Sequence, residues 1–294
     1  MLTRRQVIAM GMVFAGTHVL SACGLKTVSQ EADEAAEAKE AQGSVAGQSL
    51  TVAVTDPDIE DILAEYVTPI LGKDDLKLMT RLLGADELDK VLEQTSTGVV
   101  DVSLAASKSQ VNRYLSKNAG DLVVKESVFY RPFGIYSNNL DTPHLAPYGA
   151  SVGLPNDLVG QGHALQFMSG EGLVTLADAG ALAAKVTDVV ENPFGFAFNP
   201  MPANELVDAL DVRDFCVIDF ENAHGGGLRA KDACVIESAD AVAAQYYGPA
   251  LVIKSGLTSD ARVLALLKCL RTKDLNEWMY HRYLNDLIQV AIDE

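Results

Sequence analysis

Two short stretches of the 294-residue chain carry residue types suited to nucleophilic chemistry. Gly149-Ala150-Ser151-Val152-Gly153 has the G-x-S-x-G spacing that can expose a serine hydroxyl on a sharp turn. His224-Gly225-Gly226-Gly227 has the glycine-rich pattern whose backbone N–H groups can stabilise an oxyanion. Neither stands in the context that chemistry requires. A nucleophile elbow needs a strand before the serine and a helix directly after it, whereas Ser151 opens an apolar run that ends at Pro155. In hydrolases of that design the glycine-rich loop precedes the nucleophile; here it follows, and it reads as a turn before the next strand. The sequence therefore predicts no catalytic residue and no enzyme.

Metal chemistry is no better supported. Beyond the N-terminal segment the histidines are His144, His163, His224 and His281, without the paired spacing of a tetrahedral site. No loop has the calcium-site pattern. No metal and no cofactor are expected. Of the cysteines, Cys216, Cys234 and Cys269 lie in the body of the chain, with no C-x-x-C spacing. A Cys216–Cys234 disulfide is permitted outside the cytoplasm; buried free thiols are the alternative.

The remaining reactive residue is Cys23. Arg4 and Arg5 precede an apolar run over 7–20, and Leu20-Ser21-Ala22-Cys23 closes it. A basic start, a short apolar stretch and small residues before the cut make a secretory signal, and a membrane span would need roughly 20 apolar residues. Leu-Ser-Ala-Cys resembles the bacterial lipobox, which implies lipid attachment at Cys23 and a place on the cell membrane facing outside the cytoplasm. Thr3-Arg4-Arg5-Gln6 suits a twin-arginine signal as well as a general secretory one. Residues 1–22 are the expected signal peptide. Residues 23–48, rich in Ala, Glu, Gln, Ser and Gly, form an acidic tether whose composition stays solvated.

Charge narrows the partners. Losing residues 1–22 removes two arginines and no acid, taking the net charge from −17 to −19. Nucleic-acid affinity comes from Lys and Arg neutralising phosphates, so no nucleic acid is expected. Anionic lipid is disfavoured for the same reason, which leaves the acyl chain as the contact with the membrane.

These residues must be positioned by a body of alternating elements. Strands are predicted over 49–55, 76–82 and 99–105, with helices over 59–71, around 85–92 and 111–115 between and after them. Further strands are predicted at 151–154, 213–220, 233–237 and 250–253. Asn156 and Asp157 are suitable caps for a helix running toward Phe167. Helices over 259–270 and 275–292 close the chain. Such alternation predicts an α/β fold with a largely parallel sheet.

From Val128 onward the order of motifs is similar to the methionine-binding lipoprotein family of ABC importers, the MetQ/NlpA type. The matching pieces are Phe129-Tyr130-Arg131-Pro132-Phe133-Gly134-Ile135-Tyr136-Ser137, Val152-Gly153-Leu154-Pro155-Asn156-Asp157, Asp188-Val189-Val190-Glu191-Asn192-Pro193 and Cys216-Val217-Ile218-Asp219. The resemblance implies a two-lobed periplasmic-binding-protein-like fold with two crossovers and a ligand cleft between the lobes. Residues 49–137 plus 237–294 would form lobe 1 and residues 138–236 lobe 2. It also implies a small-molecule solute, an ABC permease and its ATPase as partners.

The family's ligand residues are mostly replaced. Its Phe, His and Tyr after the third strand correspond to Ala105, Ser107 and Gln110. Its carboxylate-clamping arginine falls at His163, an asparagine at Asp219, an aromatic at Asn222 and a second asparagine at Ala250. Arginine grips a carboxylate through a permanently charged fork; histidine, with an unperturbed pKa of about 6.5, has no such fork. Asn156 is retained. Methionine is therefore not the expected ligand. One reading gives the cleft another amino acid, short peptide or small polar solute, bound by Ser107, Gln110, Arg131, Asn156, His163, Asp219 and Asn222. In that reading Asp219 faces an amine and Arg131 an acid group. The other reading is a surface lipoprotein with a degenerate site, acting in sensing, adhesion or interaction.

Overall fold

The structure is a computed structural model that describes residues 44–178, 183–290 and 292. The expected signal peptide, the anchor Cys23 and the tether as far as residue 43 lie outside the described residues. Along the chain the strands are β1 (Ser49–Val54), β2 (Lys77–Leu82), β3 (Val102–Ser103), β4 (Leu122–Ser127), β5 (Phe129–Tyr130), β6 (Gly134–Tyr136) and β7 (Ser151–Pro155). They continue as β8 (Thr175–Leu176), β9 (Val189–Glu191), β10 (Ala197–Met201), β11 (Phe215–Ile218), β12 (Val235–Ile236), β13 (Ala250–Lys254) and β14 (Ile288–Gln289). The helices are α1 (Pro57–Asp61), α2 (Thr68–Leu71), α3 (Leu88–Thr97), α4 (Lys108–Leu115), α5 (Leu158–Gly170), α6 (Phe220–Gly225), α7 (Val242–Tyr247), α8 (Ala261–Leu270) and α9 (Lys273–Tyr283).

Two five-stranded sheets carry the body. The first has the order β2-β1-β3-β13-β4 and the second β10-β7-β11-β6-β12. In the first, β1 runs parallel to β2 and β3, while β13 is antiparallel to β3 and β4. In the second, β7 is parallel to β10 and β11, while β6 is antiparallel to β11 and β12. Both sheets are thus mixed, not largely parallel, because each takes in a strand from beyond a crossover. Residues 134–136, expected with the first lobe, pair within the second sheet.

Burial explains the central strands. Leu50, Val52, Ala53 and Val54 of β1 are all fully buried, as expected for a strand covered on both faces. Phe215, Cys216, Val217 and Ile218 of β11 play the same part in the second core. α3 buries Val91, Leu92 and Thr95 on one face and stops at Gly98, whose φ of 80° is the left-handed conformation that favours glycine. Between α1 and α2 the helix widens into π-type turns over Ile62–Val67. Pro69 has no N–H to donate, and the Leu63 carbonyl instead accepts from the N–H and the hydroxyl of Thr68.

The two crossovers run side by side. Val128 N–H donates to the Pro249 carbonyl at 2.9 Å, and Glu237 N–H to the Phe133 carbonyl at 3.0 Å. β14 joins them by pairing antiparallel with β5. A Cβ on Gly248 would collide with the carbonyl oxygens of Phe129 and Ala244, so the backbones meet there at a distance only glycine allows.

Several expected elements end differently. The strand foreseen over 213–220 stops at Ile218, because Asp219 caps α6. The last helix ends at Tyr283: Leu284 and Asn285 take φ of 50° and 70°, and the chain leaves as β14. Cys216, Cys234 and Cys269 are free thiols. Burial pushes Cys216 and Cys269 up to about 11, which keeps them protonated and unreactive.

Candidate functional site

Between the two sheets, against the crossovers, lies a cleft of about 840 Å³. The first sheet's side contributes the turn after β1, with Asp56 and Asp58, and the start of α4 with Gln110. The crossovers contribute Tyr130, Arg131 and Tyr247. From the second sheet's side come α5, with His163, and the turn after β11, with Asp219, Phe220 and Glu221. Both acidic turns lie at the carboxyl ends of parallel-paired strands, where open α/β sheets place their ligands.

Asp56 follows β1 and caps α1, its side chain accepting from the Asp58 N–H. The same carboxylate receives Arg131 Nε at 3.0 Å and Nη2 at 2.8 Å, and Nη2 also reaches Asp58 at 2.6 Å. The guanidinium carbon stands 4.4 Å from the ring centroid of Phe220. Arg131 therefore touches an element of either lobe. Burial opposes its charge, but Asp56 and Asp58 outweigh burial and raise its pKa above the ordinary arginine value.

In the wall of the cleft a second polar cluster is largely buried. His163 Nε2 lies 2.5 Å from the Tyr130 hydroxyl and 2.9 Å from Glu237 Oε2, and the Tyr130 hydroxyl also donates to Glu237. All three are at most 5% exposed. Phe133 N–H adds a bond to Glu237 at 3.3 Å, and the Phe133 ring lies 3.8 Å from the imidazole. Burial and the adjacent Glu237 carboxylate push the Tyr130 hydroxyl well above the usual tyrosine range. The cluster ties β5, α5 and the returning crossover into one joint.

Arg131, His163, Asp219 and Gln110 all line the cleft, and each already has a partner within the protein. His163 faces Glu237, and Arg131 faces Asp56 and Asp58, so no acid group of a ligand meets the Nε/Nη2 edge of that guanidinium. Gln110 accepts from the Ser107 N–H at 2.8 Å, the reciprocal half of a capping box that starts α4. Ser107 is the cap itself, buried and outside the cleft wall. Asn156 is exposed and away from the cleft; Asp157 is the residue that caps α5. Asn222 serves Asp219, donating its N–H at 3.0 Å and its amide at 2.7 Å.

Sequence reasoning passed over Asp56, Glu237 and Tyr130. For Asp56 a signal existed: an acid-proline-acid triplet directly after a strand. Among the described residues no His, Cys, Asp and Glu group could hold a metal ion, and no helix is long and apolar enough to cross a membrane.

The profile of the NlpA lipoprotein family matches residues 50–291. The chain is 25% identical over 289 residues to the methionine-binding lipoprotein MetQ of Bacillus subtilis, covering 96% of this chain and 97% of that one. It is 31% identical over 141 residues to the probable D-methionine-binding lipoprotein MetQ of Haemophilus influenzae, about half of either length: 48% of this chain and 52% of the relative. Among solved structures, a YaeC-family lipoprotein from Enterococcus faecalis superposes with a TM-score of 0.60 at 23% identity, covering 82% of this chain and 98% of that one. That likeness establishes the two-lobed fold.

Proposed function

This chain belongs to the NlpA lipoprotein family, and we propose that it is the lipid-anchored, extracytoplasmic substrate-binding component of an ABC importer for a small polar solute. One observation carries this reading: the cleft of about 840 Å³ draws its walls from two sheets that the chain connects through paired crossovers. Such a joint lets two lobes close on a solute and reopen, and the solute biases that equilibrium toward the closed form. The lipidated Cys23 would hold the body at the membrane, where a permease and its ATPase receive the loaded form. The cleft's size suits an amino acid, a short peptide or a related molecule.

Methionine itself fits poorly. The position that carries the clamping arginine in relatives is His163, bonded to Glu237. The resemblance implies aromatic residues at the positions of Ala105 and Gln110, and the aromatic side of this cleft comes instead from Tyr130, Phe133, Phe220 and Tyr247.

Small-angle X-ray scattering from the full chain tests the reading. Addition of a bound amino acid, peptide or amine should reduce the radius of gyration as the lobes close. A protein that binds such a solute yet keeps its open profile would contradict the importer reading, and would favour the sensing or interaction alternative.

A further inference from the structure

We infer that Arg131 takes hold of an oxygen acceptor of the solute, a carboxylate or a carbonyl, end-on through its Nη1. The inference rests on the solute-binding reading above and names the group by which the solute is gripped.

Buried polar atoms without a partner are few in a folded protein, and each calls for an explanation. Arg131 Nη1 is such an atom, and among the described residues no other side chain on the cleft wall has one. Nη1 carries two N–H groups and no lone pair, so only an acceptor can satisfy it. A buried donor left unmade costs more on a charged group than on a neutral one. The fold supplies no acceptor, and the cleft is the space from which one can come.

The rest of the guanidinium is already fixed. Asp56 accepts from Nε at 3.0 Å and from Nη2 at 2.8 Å, and Asp58 accepts from Nη2 at 2.6 Å. The Phe220 ring lies 4.4 Å from the guanidinium carbon. These contacts set the plane of the group before a solute arrives, so binding does not have to order a long, mobile side chain. Asp56 and Asp58 are positioning residues, and Nη1 is the donor they leave over.

Two kinds of oxygen fit this donor. A carboxylate makes the stronger, charge-assisted bond. Two ionised acids already face this guanidinium, however, and they repel a third carboxylate but not an uncharged carbonyl. Either presents an oxygen to Nη1, whereas an alkyl amine has none to offer.

Matched sets of each common amino acid, its amide, and the amine left when its carboxyl group is removed test the inference. They are screened by thermal melting of the full chain, and hits are measured by isothermal titration. An amino acid or its amide should bind more tightly than the matched amine by about tenfold or more. Arg131→Lys keeps a cation beside Asp56 and Asp58 but has no nitrogen at the Nη1 position, and it should remove that preference. Asp58→Ala releases one N–H of Nη2, so that Nη1 and Nη2 face the solute together. It should tighten binding of the acid or amide, a gain that poor folding does not mimic. An acid that binds better than its amide assigns the carboxylate; an amide that binds as well or better assigns the carbonyl. Amines that bind as tightly as their matched acids and amides overturn the inference and leave the importer reading standing. Affinities that neither variant changes do the same, as a water molecule alone on Nη1 would produce. Silence from every set also overturns it; the importer reading falls with it only if a broad solute screen is silent as well.

Discussion

Arg131 grips Asp56 across 75 residues of sequence, with Nε at 3.0 Å and Nη2 at 2.8 Å from the same carboxylate oxygen. Through its contact with Phe220 the same side chain reaches the second lobe. The one permanent cation on the cleft wall is thus structural along its Nε/Nη2 edge, while its buried Nη1 has no hydrogen-bond partner among the described residues.

Arg131→Gln should expose this division. Loss of the bidentate pair should lower stability by about 1 kcal/mol, since the pair is only partly buried. The freed Asp56 and Asp58 should then strengthen the binding of a cationic amine. Urea melts and titration calorimetry measure the two effects. Weaker amine binding in this variant would show that Arg131 itself contacts the solute.

The joint in the cleft wall should be costly to break. Glu237→Ala removes the buried acceptor shared by His163 and the Tyr130 hydroxyl, and a loss of about 2 kcal/mol is expected. Tyr130→Phe removes the hydroxyl that bridges His163 and Glu237 and should cost about 1.5 kcal/mol. Because the three groups share one network, a Tyr130→Phe/Glu237→Ala double-mutant cycle should be non-additive. Additive losses in chemical denaturation would contradict the network.

Acid sensitivity has a definable source in Asp214. The Ser151 N–H and hydroxyl both donate to its carboxylate at 2.7 Å, and these bonds hold its pKa below the ordinary carboxylate value. A folded-state pKa below the unfolded one stabilises the protein above about pH 4 and is lost as pH falls through the folded value. Asp214→Asn should therefore flatten the acid limb of the stability profile while lowering stability at neutral pH. An unchanged acid limb in denaturant titrations would remove Asp214 from the account.

The second core should show the usual cost of a cavity. Phe215 is fully buried in β11, and Phe215→Ala should lose about 3–5 kcal/mol. Equilibrium unfolding measures this directly, and a loss below about 1 kcal/mol would mean that the strand is not packed as described.

Much of this architecture was legible in the sequence because it rests on local pattern. The β-branched run from residue 49, the spacing of Val91 and Leu92, and the acid before the helix at residue 158 each follow from short-range chemistry. What escaped depends on distant partners. His163 stands out as a replaced arginine, but nothing near it points to Glu237, 74 residues away. Arg131 looks free for a ligand until Asp56 is brought beside it. The end of α9 was missed for a different reason: Leu284 and Asn285 adopt left-handed backbone that their types only weakly signal. Asn156 and Asp157 are equally good caps on paper, and only the geometry of α5 chooses Asp157.

Thermal melting of the full chain across a library of amino acids, short peptides and small amines tests the central claim most directly. A solute at 100 times its dissociation constant should stabilise the native state by roughly 2.7 kcal/mol, a readily measured rise in melting temperature. The account predicts such a rise for at least one member. No stabilisation by any member, after removal of co-purified small molecules, would contradict a working solute site.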